Sequence, residues 1–149
     1  MNRRSTIFAL AAAALTAAFG GRALAERKVH TVEMITEPDG KFFVPDLLRV
    51  EVGDEVRFVN ISGNHNTESV EGMIPEGAEP WVSDLNETFT LKITHEGVYG
   101  YKCTPHYLNG MVGVIVAGDA SVNLDAAKAV EKPTRAANLF EILLGLAGK

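Results

Sequence analysis

Between residues 29 and 117 the chain keeps returning to one pattern: short runs in which apolar and polar side chains alternate, cut apart by turn residues. Residues 29–36 (VHTVEMIT) mix β-branched and polar side chains, and Pro38-Asp39-Gly40 follows as a turn. Phe42-Phe43-Val44 opens a second extended segment that ends or bends at Pro45. Leu48 to Val52 sets Leu48, Val50 and Val52 on one face and Arg49 and Glu51 on the other, before Gly53-Asp54 turns the chain. Glu55 to Ile61 and Thr88 to Ile93 repeat the period of two. Val98 to Cys103 and the strongly apolar Met111 to Val116 complete the set, with one more short strand near Asn66 to Val70. Side chains that alternate at period two belong to a pleated sheet with one face buried. About seven or eight such strands with no intervening long helices predict an all-β sandwich or small barrel rather than a βαβ design. Residues 62–86, punctuated by Gly63, Gly72, Pro75, Gly77 and Pro80, read mostly as loop, with a helical turn near Met73.

The two ends of the chain follow other rules. Arg3-Arg4, the apolar run Ile7 to Phe19 and the small residues Ala23-Leu24-Ala25 have the layout of a secretory signal peptide cleaved before Glu26. The run is shorter than the roughly 20 residues an ordinary membrane-spanning helix needs. At the other end, Asn123 to Val130 reads as one short helix. A second runs over 136–144, where Ala136, Leu139, Phe140, Leu143 and Leu144 recur at offsets of three and four, with Thr134 as its cap and Pro133 between the two. Such a face is suited to covering a sheet. The expected division is therefore 1–25 signal peptide, 26–120 β domain and 121–149 C-terminal helical extension packed on it.

Charge narrows the partners. The signal segment holds three of the 14 basic residues and none of the 19 acidic ones, so the mature chain carries 11 against 19, a net of −8. A strongly acidic balance argues against general nucleic-acid binding, which wants a basic surface.

Chemistry concentrates around the single cysteine. Cys103 cannot form a disulfide within its own chain; it is a core thiol, a bridge to another chain, or a metal ligand. The segment Cys103-Thr104-Pro105-His106-Tyr107-Leu108-Asn109-Gly110-Met111 places a thiol, an imidazole and a thioether at positions 0, +3 and +8, and a second imidazole, His65, stands 38 residues upstream. Taken singly, each has a plain structural role: Cys103 as a core thiol, Met111 as strand packing, His65 and His106 as turn residues. Together, two nitrogens, one thiolate and one thioether are the donor set of a trigonal copper site with a weak axial ligand. Zinc rarely takes methionine, iron–sulfur clusters need more thiolates, and no third residue that would orient a Cys–His nucleophile pair is visible. The other histidines, His30 and His95, read as strand surface and turn.

Longer stretches carry a resemblance. His65-Asn66, Met73-Ile74-Pro75-Glu76-Gly77-Ala78-Glu79, the run Gly97 to Tyr107 (GVYGYKCTPHY), Gly110-Met111-Val112-Gly113, Gly118-Asp119 and Asn123-Leu124 are similar to those of the pseudoazurins, a bacterial family of type 1 (blue) copper proteins with the cupredoxin fold. The resemblance implies a Greek-key sandwich of about eight strands, and one copper ion held by His65, Cys103, His106 and Met111. It implies that Asn66 ties the upstream histidine loop to Thr104, and that the edge of His106 is exposed through an apolar patch drawn from Pro105, Leu108, Met73 and Pro75. Its functional implication is a periplasmic one-electron carrier, not an enzyme, monomeric and free of the membrane after signal cleavage, passing electrons to a copper nitrite reductase or another respiratory reductase. Copper delivery or storage with the same ligands is the alternative. Relatives often ring the patch with lysines; here Lys41 and Lys102 remain, while Glu79 to Asp84 and Ser62 to Asn64 carry none, and Asn109 stands where methionine is common.

Overall fold

The computed structural model describes residues 26–149; the expected signal peptide lies outside the described residues. Eight strands form two four-stranded sheets. In chain order they are β1 (Val29–Glu37), β2 (Gly40–Val44), β3 (Leu47–Val50), β4 (Glu55–Asn60), β5 (Glu68–Ser69), β6 (Phe89–Lys92), β7 (Gly97–Lys102) and β8 (Val112–Ala117). The first sheet has the order β2-β1-β4-β6 and the second β3-β8-β7-β5. β1 with β4 and β3 with β8 pair parallel, and the other pairs are antiparallel. The chain thus crosses between sheets repeatedly, as a cupredoxin-like Greek key requires.

Alternation sets which face is buried. In β1, Val32 and Met34 point inward while Thr31 and Glu33 face solvent; in β4, Val56 and Phe58 point inward and Arg57 outward. β7 and β8 differ: nearly every residue is buried. Their sheet is covered on both sides, which is why β8 reads as a continuous apolar run. Tyr99, Tyr101 and Ile115 face the first sheet, joining Phe43 and Phe58. Val98, Val112, Val114 and Val116 face the other way, against α1 (Leu124–Ala129) and α2 (Thr134–Ala147). From α2, Ala136, Phe140, Leu143 and Leu144 are buried and Leu139 is partly covered, so the apolar stripe does cover the sandwich. Each fully buried Leu or Phe contributes about 1.5–3 kcal/mol relative to exposure. Among the described residues no helix is long and apolar enough to cross a membrane.

Several local expectations are corrected. Val52 does not share the buried face of Val50; the strand ends at Val50 and Val52 is 45% exposed on the turn that follows. The segment around Met73 is a turn without a helix, and the strand near residues 66–70 shrinks to Glu68–Ser69. Thr134 does not cap α2: it is the first helical residue, Pro133 precedes it, and no side-chain capping bond forms. His30 is not simple strand surface. It is half-buried, with Nε2 2.8 Å from the carboxylate of Asp54, which also accepts from the backbone N–H groups of Lys28 and Glu51.

The topology fixes where chemistry can occur. β7 ends one residue before Cys103, and its antiparallel partner β8 begins one residue after Met111, so both lie at the same end of the second sheet. The loop after β4 brings His65 to that end from the first sheet.

Candidate metal centre

The connection between β7 and β8 is a short 3-10 segment, Thr104–Asn109, started by Pro105. Its backbone is bonded step by step. The Cys103 N–H donates to Met111 O at 3.0 Å, the His106 N–H to Cys103 O at 3.1 Å, and the Met111 N–H to His106 O at 3.2 Å. Those bonds fold an eight-residue spacing into a small ring, and the three residues leave it as one rigid unit.

His65 arrives from the other sheet and is fully buried. Gly63 makes this approach feasible. Its φ of +83° suits glycine, and a Cβ there would collide with Thr36 Oγ1 and stand 2.9 Å from His65 Nε2. In the space so kept, Thr36 Oγ1 lies 3.0 Å from His65 Nε2. That partner occupies one ring nitrogen and leaves Nδ1 directed at Cys103.

The donor atoms converge. Cys103 Sγ is 3.7 Å from His65 Nδ1 and 3.4 Å from His106 Nδ1, and the two nitrogens are 3.2 Å apart. The centre of the circle through these three atoms lies about 2.0 Å from each, the length of a metal–nitrogen bond and slightly short of a metal–thiolate bond. His65, Cys103 and His106 thus form a group able to hold a single copper ion. Met111 is 1% exposed and is tied by its backbone to both Cys103 and His106.

Electrostatics suits a cation. Burial lowers the pKa of both histidines, and the positive charge of Lys41 lowers both further, so the rings are neutral donors; the charge of His106 also acts on His65. Burial raises the Cys103 thiol, against which the backbone N–H groups of Asn66 and His106 favour the thiolate. A cation at the centre would supply what the thiolate lacks.

Around the donors runs a hydrogen-bonded brace. Asn66 Oδ1 accepts from the Thr104 N–H at 2.7 Å and its Nδ2 donates to Thr104 Oγ1 at 2.8 Å, the tether the resemblance implies. Thr104 Oγ1 in turn donates to Glu68 Oε2. Lys102 Nζ is 3.6 Å from Glu68 and 4.7 Å from the centre of the Tyr107 ring. Thr36, Glu68 and Asn86, whose backbone and side chain both bond His65, are site residues the sequence did not single out. Each lies in an unremarkable stretch, and only the tertiary pairing of distant loops identifies it.

The surface agrees with the sequence in part. Leu108 is 75% exposed and Pro105 is exposed beside the half-buried His106. Met73 and Pro75 do not belong to this patch. Met73 is buried against Gly100 on the helical side of the second sheet, and Pro75 is buried against Gly97, at the opposite end of β7.

Residues 31–118 match the family model described as copper binding proteins, plastocyanin/azurin family. The chain is 43% identical over 128 residues to pseudoazurin of Paracoccus pantotrophus, covering 86% of this chain and 88% of that one. Among solved structures it is similar to pseudoazurin from Methylobacterium extorquens AM1, with a TM-score of 0.75, 36% identity and coverage of 79% of this chain and 98% of that one. Native pseudoazurin from Hyphomicrobium denitrificans gives a TM-score of 0.73 at 34% identity, covering 79% and 97%.

Proposed function

Since the chain belongs to the plastocyanin/azurin family of copper-binding proteins and is closely related to the pseudoazurins, we propose that it is a periplasmic one-electron carrier whose type 1 copper ion would be held by His65, Cys103, His106 and Met111. The observation that carries this reading is the triangle of one sulfur and two nitrogens, sized for a single ion. When bound there, copper supplies a one-electron couple between its two common oxidation states.

The residues do the rest. Cys103 would offer the thiolate and His65 and His106 the ring nitrogens, while the thioether of Met111 would be the fourth donor and would help to tune the potential. The backbone ring of residues 103–111, the Thr36 bond and the Asn66–Thr104 tether keep the donors in one arrangement, which lowers the structural change each electron would demand. Of the three converging ligands only His106 reaches the surface. Its edge, flanked by Pro105 and Leu108, is the proposed route for the electron. The kinship with the pseudoazurins supports a carrier rather than an enzyme.

The acceptor implied by the family resemblance is a copper nitrite reductase or another respiratory reductase, met transiently by a monomer. Steering by charge is weak in this chain. Lys102 is engaged by Glu68, leaving Lys41 as the cation acting on the centre, and the mature chain is acidic. Recognition then rests on the apolar surface around His106 more than on long-range attraction.

The test is a visible-absorption titration of residues 26–149 with Cu(II). An intense thiolate-to-copper band saturating at one ion per chain is expected, absent in Cys103→Ser. A weak band, or copper that a chelator removes within seconds, would favour delivery or storage over electron transfer.

A further inference from the structure

We infer that Asn86 is a positioning residue for the buried ligand His65, holding it in place before any metal arrives. The inference rests on the copper reading above and deepens it. Asn86 lies 21 residues beyond His65, in the turn between Asp84 and Glu87 that leads into β6. It grips His65 from both sides of the backbone. Its side-chain Oδ1 accepts from the His65 N–H at 3.1 Å, and its own N–H donates to the His65 carbonyl at 2.7 Å. The same Oδ1 accepts from Asn60 Nδ2 at 3.2 Å, and Asn86 Nδ2 donates to Asn64 Oδ1 at 3.0 Å. One side chain therefore links the end of β4, the histidine loop and the turn before β6.

Its backbone marks it further. Asn86 has φ +64° and is the one non-glycine residue with positive φ among the described residues. Asparagine tolerates that region better than other side chains, but glycine meets the backbone requirement without strain. The turn alone would be served by glycine. What glycine cannot supply is the oxygen that accepts the His65 N–H.

The ring itself is held separately by Thr36. Asn86 fixes the peptide frame from which the ring departs, and Thr36 fixes its rotation. His106 and Cys103 sit in a ring of backbone bonds of their own, whereas His65 reaches the site from the seven-residue loop between β4 and β5. Loss of the Asn86 side chain should therefore loosen His65 alone.

The experiment compares copper-loaded wild type with Asn86→Gly and Asn86→Asp. Glycine keeps the left-handed turn and removes the side chain; aspartate keeps the accepting oxygen. Readouts are the visible spectrum, the rate of copper loss to a chelator, and the melting temperature of the metal-free chain. Asn86→Gly is expected to lose copper about tenfold faster with an altered band, and Asn86→Asp to stay within about threefold of wild type. Equal copper retention and an unchanged band in Asn86→Gly, alongside lower metal-free stability, would show a merely structural residue and overturn the inference. So would an Asn86→Asp as impaired as Asn86→Gly. If Asn86→Gly fails to fold, amide hydrogen exchange in the metal-free wild type decides: a His65 N–H protected well beyond that of Asn64 in the same loop supports the role, and an unprotected His65 N–H overturns it. A wild type without the intense band overturns the copper reading itself, a result distinct from all of these.

Discussion

Two residues before Cys103, on the same face of β7, Tyr101 buries a hydroxyl that has no hydrogen-bond partner. Its ring meets Phe43 and Phe58 edge-on, with centroids 4.8 and 5.1 Å away. The hydroxyl occupies a notch over Gly113, where any Cβ would collide with both Oη and Cζ. Tyr101→Phe removes the oxygen and leaves the ring contacts. An unpaired buried hydroxyl costs about 1–3 kcal/mol. The void left by one oxygen, on the order of 10–15 Å³, returns only about 0.3 kcal/mol of that as a cavity penalty. The variant should gain about 1 kcal/mol, raising the melting temperature by roughly 3–5 °C for a domain of this size. Urea unfolding of the metal-free chain measures it, and the blue band of the loaded protein should be unchanged. Alkaline pH gives a second reading. Burial, helped by the charge of Asp46, raises the Tyr101 pKa above its ordinary value of 10.0. The unfolded chain therefore releases this proton first, and wild-type stability falls as pH rises above about 10 by a contribution the phenylalanine variant lacks. Gly113→Ala should destabilise both backgrounds, because the methyl still meets Cζ. A Tyr101→Phe variant less stable than wild type by more than about 0.5 kcal/mol would refute the reasoning, since the hydroxyl would then have to be paired.

Asp54 predicts acid sensitivity at the far end of the first sheet. Its carboxyl is held at about 2, chiefly by the hydrogen bond from His30 and then by the Lys28 N–H. The stabilisation is complete above the ordinary value of 3.8 and is lost as pH falls from there through about 2. Because the group lies just beneath the surface, about 1–2 kcal/mol is expected, measured as the pH 6 to pH 2.5 difference in unfolding free energy between wild type and Asp54→Asn. Thr36→Val keeps shape but removes the partner of His65 Nε2, and should weaken copper affinity about tenfold while Thr36→Ser restores it; competition against a chelator reads both. Electron transfer to an acidic redox partner should change by less than about tenfold between low and physiological salt, as measured by stopped-flow. A steeper acceleration at low salt would show that the few cations near His106 steer after all.

What the sequence discloses depends on how local the determining interaction is. Alternation in residues 29–36, 55–61 and 88–93 announces strands because burial on one face selects every second residue, and that selection leaves its mark within the strand itself. The continuous apolar run of β8 announces a doubly covered strand for the same reason, and the stripe on α2 announces the cover. Cys103, His106 and Met111 are legible together because one hairpin loop carries them. Boundaries fare worse. Val52 has the right period to continue β3, but the turn at Gly53 overrides it, and Pro133 supplies the helix start that Thr134 was expected to cap.

The parts that stay hidden are those where one loop answers another. Met73 and Pro75 lie in a segment that resembles a functional motif, yet their side chains fill the space left by Gly100 and Gly97 along β7, so their motif is one of packing rather than of surface. Thr36 and Asn86 show the converse. Neither residue belongs to a motif, and none of the four candidate ligands is near either of them in sequence. They matter because β1 and the turn before β6 flank the loop that carries His65, and that adjacency is a property of the strand order β2-β1-β4-β6. The asymmetry has a functional consequence. The ligands from the hairpin are held by bonds local to the hairpin and should tolerate change elsewhere in the molecule. His65 is held by two distant segments, so changes in the first sheet that leave every ligand intact should reach the metal through this residue first.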